Sequence, residues 1–144
     1  MQGKPHLFEF LVRESHLDSF GHVNNAAYLK LYEEARWEMI TERGYGLAEV
    51  IRYQRGPVIL EVTCKFRREL RLREKITIET RTTSYRGKFS TLNQRMVNRE
   101  GTVCSEADFK FGLFDTVARR LVSPSPEWLR ALGVDPQAEP PFGD

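Results

Sequence analysis

Leu17-Asp18-Ser19-Phe20-Gly21-His22-Val23-Asn24-Asn25-Ala26-Ala27-Tyr28 decides the reading of this chain. It sets an acid, a glycine turn, a histidine and two asparagines directly ahead of a helical pattern. From Asn25 to about Arg43, Tyr28, Leu31, Tyr32, Ala35 and Met39 recur at three- and four-residue steps, while Lys30, Glu33, Glu34 and Glu38 fall largely on the other side. Asn24 or Asn25 suits the N-cap and Gly44 the stop. A helix start carries unpaired backbone N–H groups and the positive end of the macrodipole. A carboxylate held beside it suits acyl transfer, in which a negative oxygen is stabilised while a base or nucleophile acts. Asp18 is therefore the candidate reactive carboxylate, and the helix start at Asn25 the candidate oxyanion site.

Outward from that stretch, the residues around Leu7 to Val12 read as a first strand, and Leu47, Val50 and Ile51 as one more short helix. After Pro57 the period becomes two. Val62, Cys64 and Phe66 alternate with charged or polar residues, as do Ile76 and Ile78, and Val103, Ala107, Phe109, Phe111 and Leu113 share one face of a later strand. Arg86-Gly87-Lys88 and Asn98-Arg99-Glu100-Gly101 supply hairpin turns. An antiparallel sheet with one apolar face needs a cover, and the long helix is the large element able to provide it. The proline-bearing tail, residues 123–144, is expected to be peripheral, with a short helix around Glu127 to Leu132.

At 144 residues, 40% hydrophobic and 29% charged, the chain reads as one globular domain, 1–144. A net charge of +2 gives no general argument for nucleic acid, and the basic run from Lys65 to Lys75 lacks interleaved exposed aromatics. That run reads as a solvated hairpin surface. Cys64 and Cys104 have neither CxxC spacing nor the count of a disulfide framework, so they read as reduced thiols. With no signal-like segment and no membrane-length apolar run, the expectation is a cytoplasmic protein without membrane contact. The three histidines, His6, His16 and His22, lack metal-ligand spacing, so no metal is expected. There is no Gly-x-Ser-x-Gly elbow either.

A strand, a loop bearing Asp-x-x-Gly-His-Val-Asn-Asn, a long helix and an antiparallel sheet together resemble the hot-dog fold: an α+β architecture with a long central helix wrapped by a five-stranded antiparallel sheet. More narrowly, the Gly21–Tyr28 run resembles the 4-hydroxybenzoyl-CoA thioesterase family and its acyl-CoA thioesterase relatives, and echoes the plant acyl-ACP thioesterases. The resemblance covers roughly residues 7–115. It implies hydrolysis of an acyl-CoA thioester, with Asp18 as general base or nucleophile and the Asn25 backbone N–H as oxyanion donor. The basic turn Arg86-Gly87-Lys88 falls where some relatives grip the CoA phosphates. Three departures stand out: His16 replaces the first acid of the usual Asp-x-Asp pair, Glu69 a proline, and Arg73-Glu74 a Gly-Asp.

Each residue also has a structural reading. Asp18 is an acid suited to bonding its own turn. His22 can protonate the departing thiolate or pin the turn, and the second is preferred because the CoA thiol leaves readily. Tyr28 can border the acyl pocket or sit in the core. No cofactor is implied, since CoA belongs to the substrate, and an acyl carrier protein is an alternative donor. The fold implies a homodimer or homotetramer, which would also bury a sheet edge. The alternatives are an acyl-CoA-binding module without catalysis and, with worse spacing between Asp18 and His22, a hot-dog hydratase or dehydratase.

Overall fold

The computed structural model describes residues 4–137 and 142–143. In chain order it contains β1 (His6–Leu11), a 3-10 turn (Glu14–His16), α1 (Asn25–Glu42), α2 (Leu47–Tyr53), β2 (Arg55–Phe66), β3 (Lys75–Arg86), β4 (Phe89–Val97), β5 (Val103–Asp115), β6 (Arg120–Val122), α3 (Pro126–Ala131) and β7 (Phe142–Gly143).

All ladders are antiparallel, in the order β1-β3-β4-β5-β2. The expected five strands form this path. Two short strands, β6 on β5 and β7 on β3, extend the sheet to seven, a difference the sequence hides because each has only two or three residues. No helix among the described residues is long and apolar enough to cross a membrane.

The 18-residue helix α1 starts where its cap chemistry dictates. Asn24 is the N-cap, its side chain accepting from the Ala26 N–H at 2.8 Å. Tyr28, Leu31, Tyr32, Ala35, Met39 and Ile40 form its buried stripe. They meet Ile76, Ile78, Leu92, Met96, Ala107, Phe109, Phe111 and Leu113 from the sheet's inner face.

Two expectations change. The tail is not peripheral over residues 128–134, where Trp128, Leu129, Ala131, Leu132 and Val134 are buried in the same core; residues 138–141 and 144 lie outside the described residues. Ser125 caps α3, its hydroxyl accepting from the Trp128 N–H, and Trp128 packs edge-on to Tyr45 and Phe111. Second, the apolar alternation of β2 does not bury it. Ile59, Leu60, Val62 and Phe66 are 38–50% exposed because β2 is an edge strand of the path and lacks a neighbour on one side.

The registers give the sheet two ends. Leu11 pairs with Lys75, Thr77 with Val97, and Phe66 with Ser105, so the loop after β1 shares one end with the exit of β2 and the start of β3. At the other end lie the Arg86–Phe89 pair and the Arg55–Asp115 pair.

Candidate active site

Between β1 and α1 the chain folds back on itself. The Asp18 N–H donates to the His22 carbonyl at 2.8 Å, the Gly21 N–H to the Asp18 carbonyl at 3.1 Å, and the Asn24 N–H to the His16 carbonyl at 3.0 Å. Gly21 has φ +79°, the left-handed region that glycine enters without a Cβ clash. This closure carries the start of α1 back against residues 16–18, as the motif predicts.

Asp18 is half-buried and its two oxygens differ. Oδ1 accepts from the Phe20 N–H at 2.9 Å and from the His22 N–H at 3.2 Å, the self-bonded turn of the structural reading. Oδ2 has no hydrogen-bond partner among the described residues. At the helix start, the carbonyl of Asn24 takes the Ala27 N–H at 2.9 Å and its side chain takes Ala26. The Asn25 N–H, at the first helical position, has no partner among the described residues. A free carboxylate oxygen and a free N–H at a positive helix end therefore belong to one closed loop.

The remaining candidates separate. The His22 ring is exposed and its Nε2 lies 3.4 Å from Glu69 Oε1, so the side chain reaches the β2–β3 connection while the backbone N–H bonds to Asp18 within the turn. Tyr28 is buried, its ring edge-on to Phe66 with centroids 4.8 Å apart. Burial pushes its phenol up, opposed by the backbone at Leu70. Arg86 and Lys88 lie at the opposite end of the sheet, because β3 runs its full twelve residues between them and Lys75, roughly 35 Å of strand. Within one chain they do not meet Asp18.

Of the basic run, Arg67, Arg68 and Arg73 are bonded to Glu106, Glu74 and Glu14 at 3.1, 3.2 and 2.7 Å. Cys64 stands 3.8 Å from the Ser105 hydroxyl, and burial pushes its thiol up, the direction that weakens a nucleophile.

A cavity of about 90 Å³ lies beneath α1, lined by Arg36, Trp37, Met39, Ile59, Phe111 and Trp128 among others. Arg36 donates to Gln94 Oε1 at 3.0 Å and lies 4.3 Å over the Phe109 ring, and burial lowers its guanidinium to about 10. Sequence reading passed over Arg36, Gln94 and Trp128. The signal for the first two was present: Arg36 is one helical turn beyond Tyr32 on the buried side, and Gln94 interrupts the inward Leu92 and Met96 of β4.

Comparison with known proteins agrees with this architecture. Residues 12–132 match the thioesterase-like superfamily, and the chain belongs to that superfamily, whose fold is the hot-dog arrangement described above. It is similar to the long-chain acyl-CoA thioesterase FadM of Escherichia coli K12, 30% identical over 113 residues, which cover 78% of this chain and 85% of FadM. It is also similar to the acyl-CoA thioester hydrolase YbgC of Escherichia coli O6:H1, 32% identical over 63% of this chain and 68% of YbgC. Among solved structures, the probable thioesterase YbaW of Escherichia coli superposes with a TM-score of 0.79 at 27% identity. That match covers 88% of this chain and 98% of YbaW.

Proposed function

We propose that this chain, a single hot-dog domain, is a thioester hydrolase that cleaves acyl-CoA to free acid and CoA, with Asp18 and the Asn25 N–H as its working pair. The relatives FadM and YbgC, both named for hydrolysis of acyl-CoA thioesters, support the reaction. The carrying observation is the closed loop with an unbonded Asp18 Oδ2 and an unbonded Asn25 N–H.

The thioester carbonyl oxygen accepts from the Asn25 N–H, which strengthens as charge develops on that oxygen. Asp18 Oδ2 then acts in one of two ways. It takes a proton from a water whose oxygen bonds to the carbonyl carbon, or it bonds to that carbon itself and forms a mixed anhydride that water later opens. In both, the carbon–sulfur bond breaks and CoA leaves as thiolate. His22 holds the turn, and Tyr28 packs behind the helix start.

The exposed β2 edge supports a homodimer, the simplest assembly for this fold, with a homotetramer as a pair of such dimers. Pairing β2 with β2 of a second copy, antiparallel about a two-fold axis, buries Leu60 and Val62 and completes the edge. It also reverses the strand, bringing the Arg86–Lys88 end of one copy towards the Asp18 end of the other. That supports the basic turn as a phosphate clamp for the neighbouring site, which a single chain cannot provide.

A second reading has its own observation. Asp18 Oδ1 is committed to its loop, as in a purely structural acid, and a module that binds acyl-CoA without cleaving it needs nothing more. Thiol release from a panel of acyl-CoAs separates the two. The proposal expects turnover, and tight binding without release favours the module. Light scattering at micromolar concentration should give a dimer or tetramer mass, and a monomer would remove the clamp.

A further inference from the structure

The cavity beneath α1 has an unbalanced wall. It is apolar at Met39, Leu92, Phe111 and Trp128, yet Arg36, whose guanidinium rests on Gln94 and the Phe109 ring, also lines it. Among the described residues that group has one hydrogen-bond acceptor, Gln94 Oε1, and no carboxylate within ion-pairing distance. Glu33, one turn earlier, lines the same cavity but is exposed and forms no ion pair with Arg36. A guanidinium carries five N–H donors, so most of its capacity is unused. Removing such a charge from water without an anion is costly, and a carboxylate offered in bidentate geometry recovers the most.

Gln94 also fixes the direction of this group. It is fully buried, and its amide nitrogen donates to the Tyr32 carbonyl and to Thr80 Oγ1, both at 3.0 Å, leaving its oxygen for Arg36. The ring of Phe109 supports the flat face of the guanidinium. Trp128, another wall residue, has a buried indole N–H that faces the Tyr85 hydroxyl. The unused donors of the lining are therefore those of Arg36. At about 90 Å³ the space exceeds the roughly 15 Å³ that one water needs, so it admits several non-hydrogen atoms of a ligand.

Its position suits the far end of an acyl group. Arg36 is about 16 Å along the helix from Asn25. Pro57 and Ile59, which line the cavity, belong to β2, the strand that the proposed dimer pairs with its second copy. Resting on the thioesterase reading, we infer that the cavity receives the acyl terminus and that Arg36 selects thioesters ending in a carboxylate over those ending in a methyl group.

The test compares kcat/KM for CoA thioesters of equal length, adipoyl against hexanoyl and suberoyl against octanoyl. Wild type should favour the carboxylate-ended member roughly ten-fold or more, as a charge-assisted hydrogen bond supplies. Arg36→Met should bring the ratio to one or below, and Arg36→Lys should keep part of the preference. Circular dichroism checks folding of both variants. A wild-type ratio at or below one, or a preference that survives Arg36→Met, overturns the inference. Thermal shift with free suberate against octanoate provides an arm that needs no turnover. Suberate should stabilise wild type more than octanoate and lose that advantage in Arg36→Met; equal shifts in wild type overturn the inference. Absence of thiol release from every thioester would sink the thioesterase reading, and the binding arm would then decide the Arg36 inference alone.

Discussion

Replacing Trp128 with alanine tests whether the tail belongs to the core. The indole is 1% exposed, with its ring edge-on to Tyr45 at 5.2 Å and to Phe111 at 6.3 Å between centroids. Truncating a buried tryptophan to alanine costs about 3–5 kcal/mol, from lost transfer energy plus the void left behind. Here the void joins the existing cavity, which favours the upper half of that range. For 144 residues, an unfolding entropy of about 2.1 cal/mol/K per residue gives about 0.3 kcal/mol/K. A loss of about 4 kcal/mol, the lower bound of that upper half, then lowers Tm by about 13 °C. Differential scanning calorimetry or a circular dichroism melt reads this directly. A peripheral tail would cost no more than about 0.5 kcal/mol, or roughly 2 °C. A Tm within that margin of wild type would refute the placement of α3 and, with it, the floor of the cavity.

Asn24→Ala removes the cap of α1 and should lower stability by about 1 kcal/mol, read as a shift in the urea midpoint, while Asn24→Ser keeps most of it. Full stability in the alanine variant would mean that the cap is not formed. Glu106 provides a pH test. The Asn93 side-chain hydrogen bond, then Arg67, holds its carboxyl below the ordinary 4.5. A lowered folded value means the contribution is complete above the unfolded value and is lost as pH falls through the folded one. The stability advantage of wild type over Glu106→Gln should therefore hold at neutral pH and shrink below about pH 4.5. An advantage unchanged down to about pH 3 would contradict the assignment.

The loop and α1 were legible because their determinants are local. The Asn24 cap, Gly21 at positive φ and the three-and-four spacing from Tyr28 to Met39 each act within a few residues. Strand periods were legible for the same reason, as was the hairpin at Gly87. What depended on long-range pairing was not. Alternation in β2 reads as burial, yet the order β1-β3-β4-β5-β2 leaves that strand at an edge, and nothing in its own residues reports its neighbours. Trp128 follows a run of serines and prolines that signals a loop, although its indole fills the space between α1 and the sheet. Arg86 and Lys88 form a basic turn in sequence, but their distance from Asp18 follows only from the register of β3. The candidate site was thus visible as a loop, and its separation from the basic turn was not.

Asp18→Asn tests the central claim most directly. Asparagine keeps an oxygen acceptor for the Phe20 and His22 N–H groups, so the turn should hold and Tm should stay within about 2 °C of wild type. It removes the base and nucleophile, so thiol release from acyl-CoA should fall by about 10²-fold or more. Turnover close to wild type in a folded Asp18→Asn protein would contradict the account and return Asp18 to a structural role.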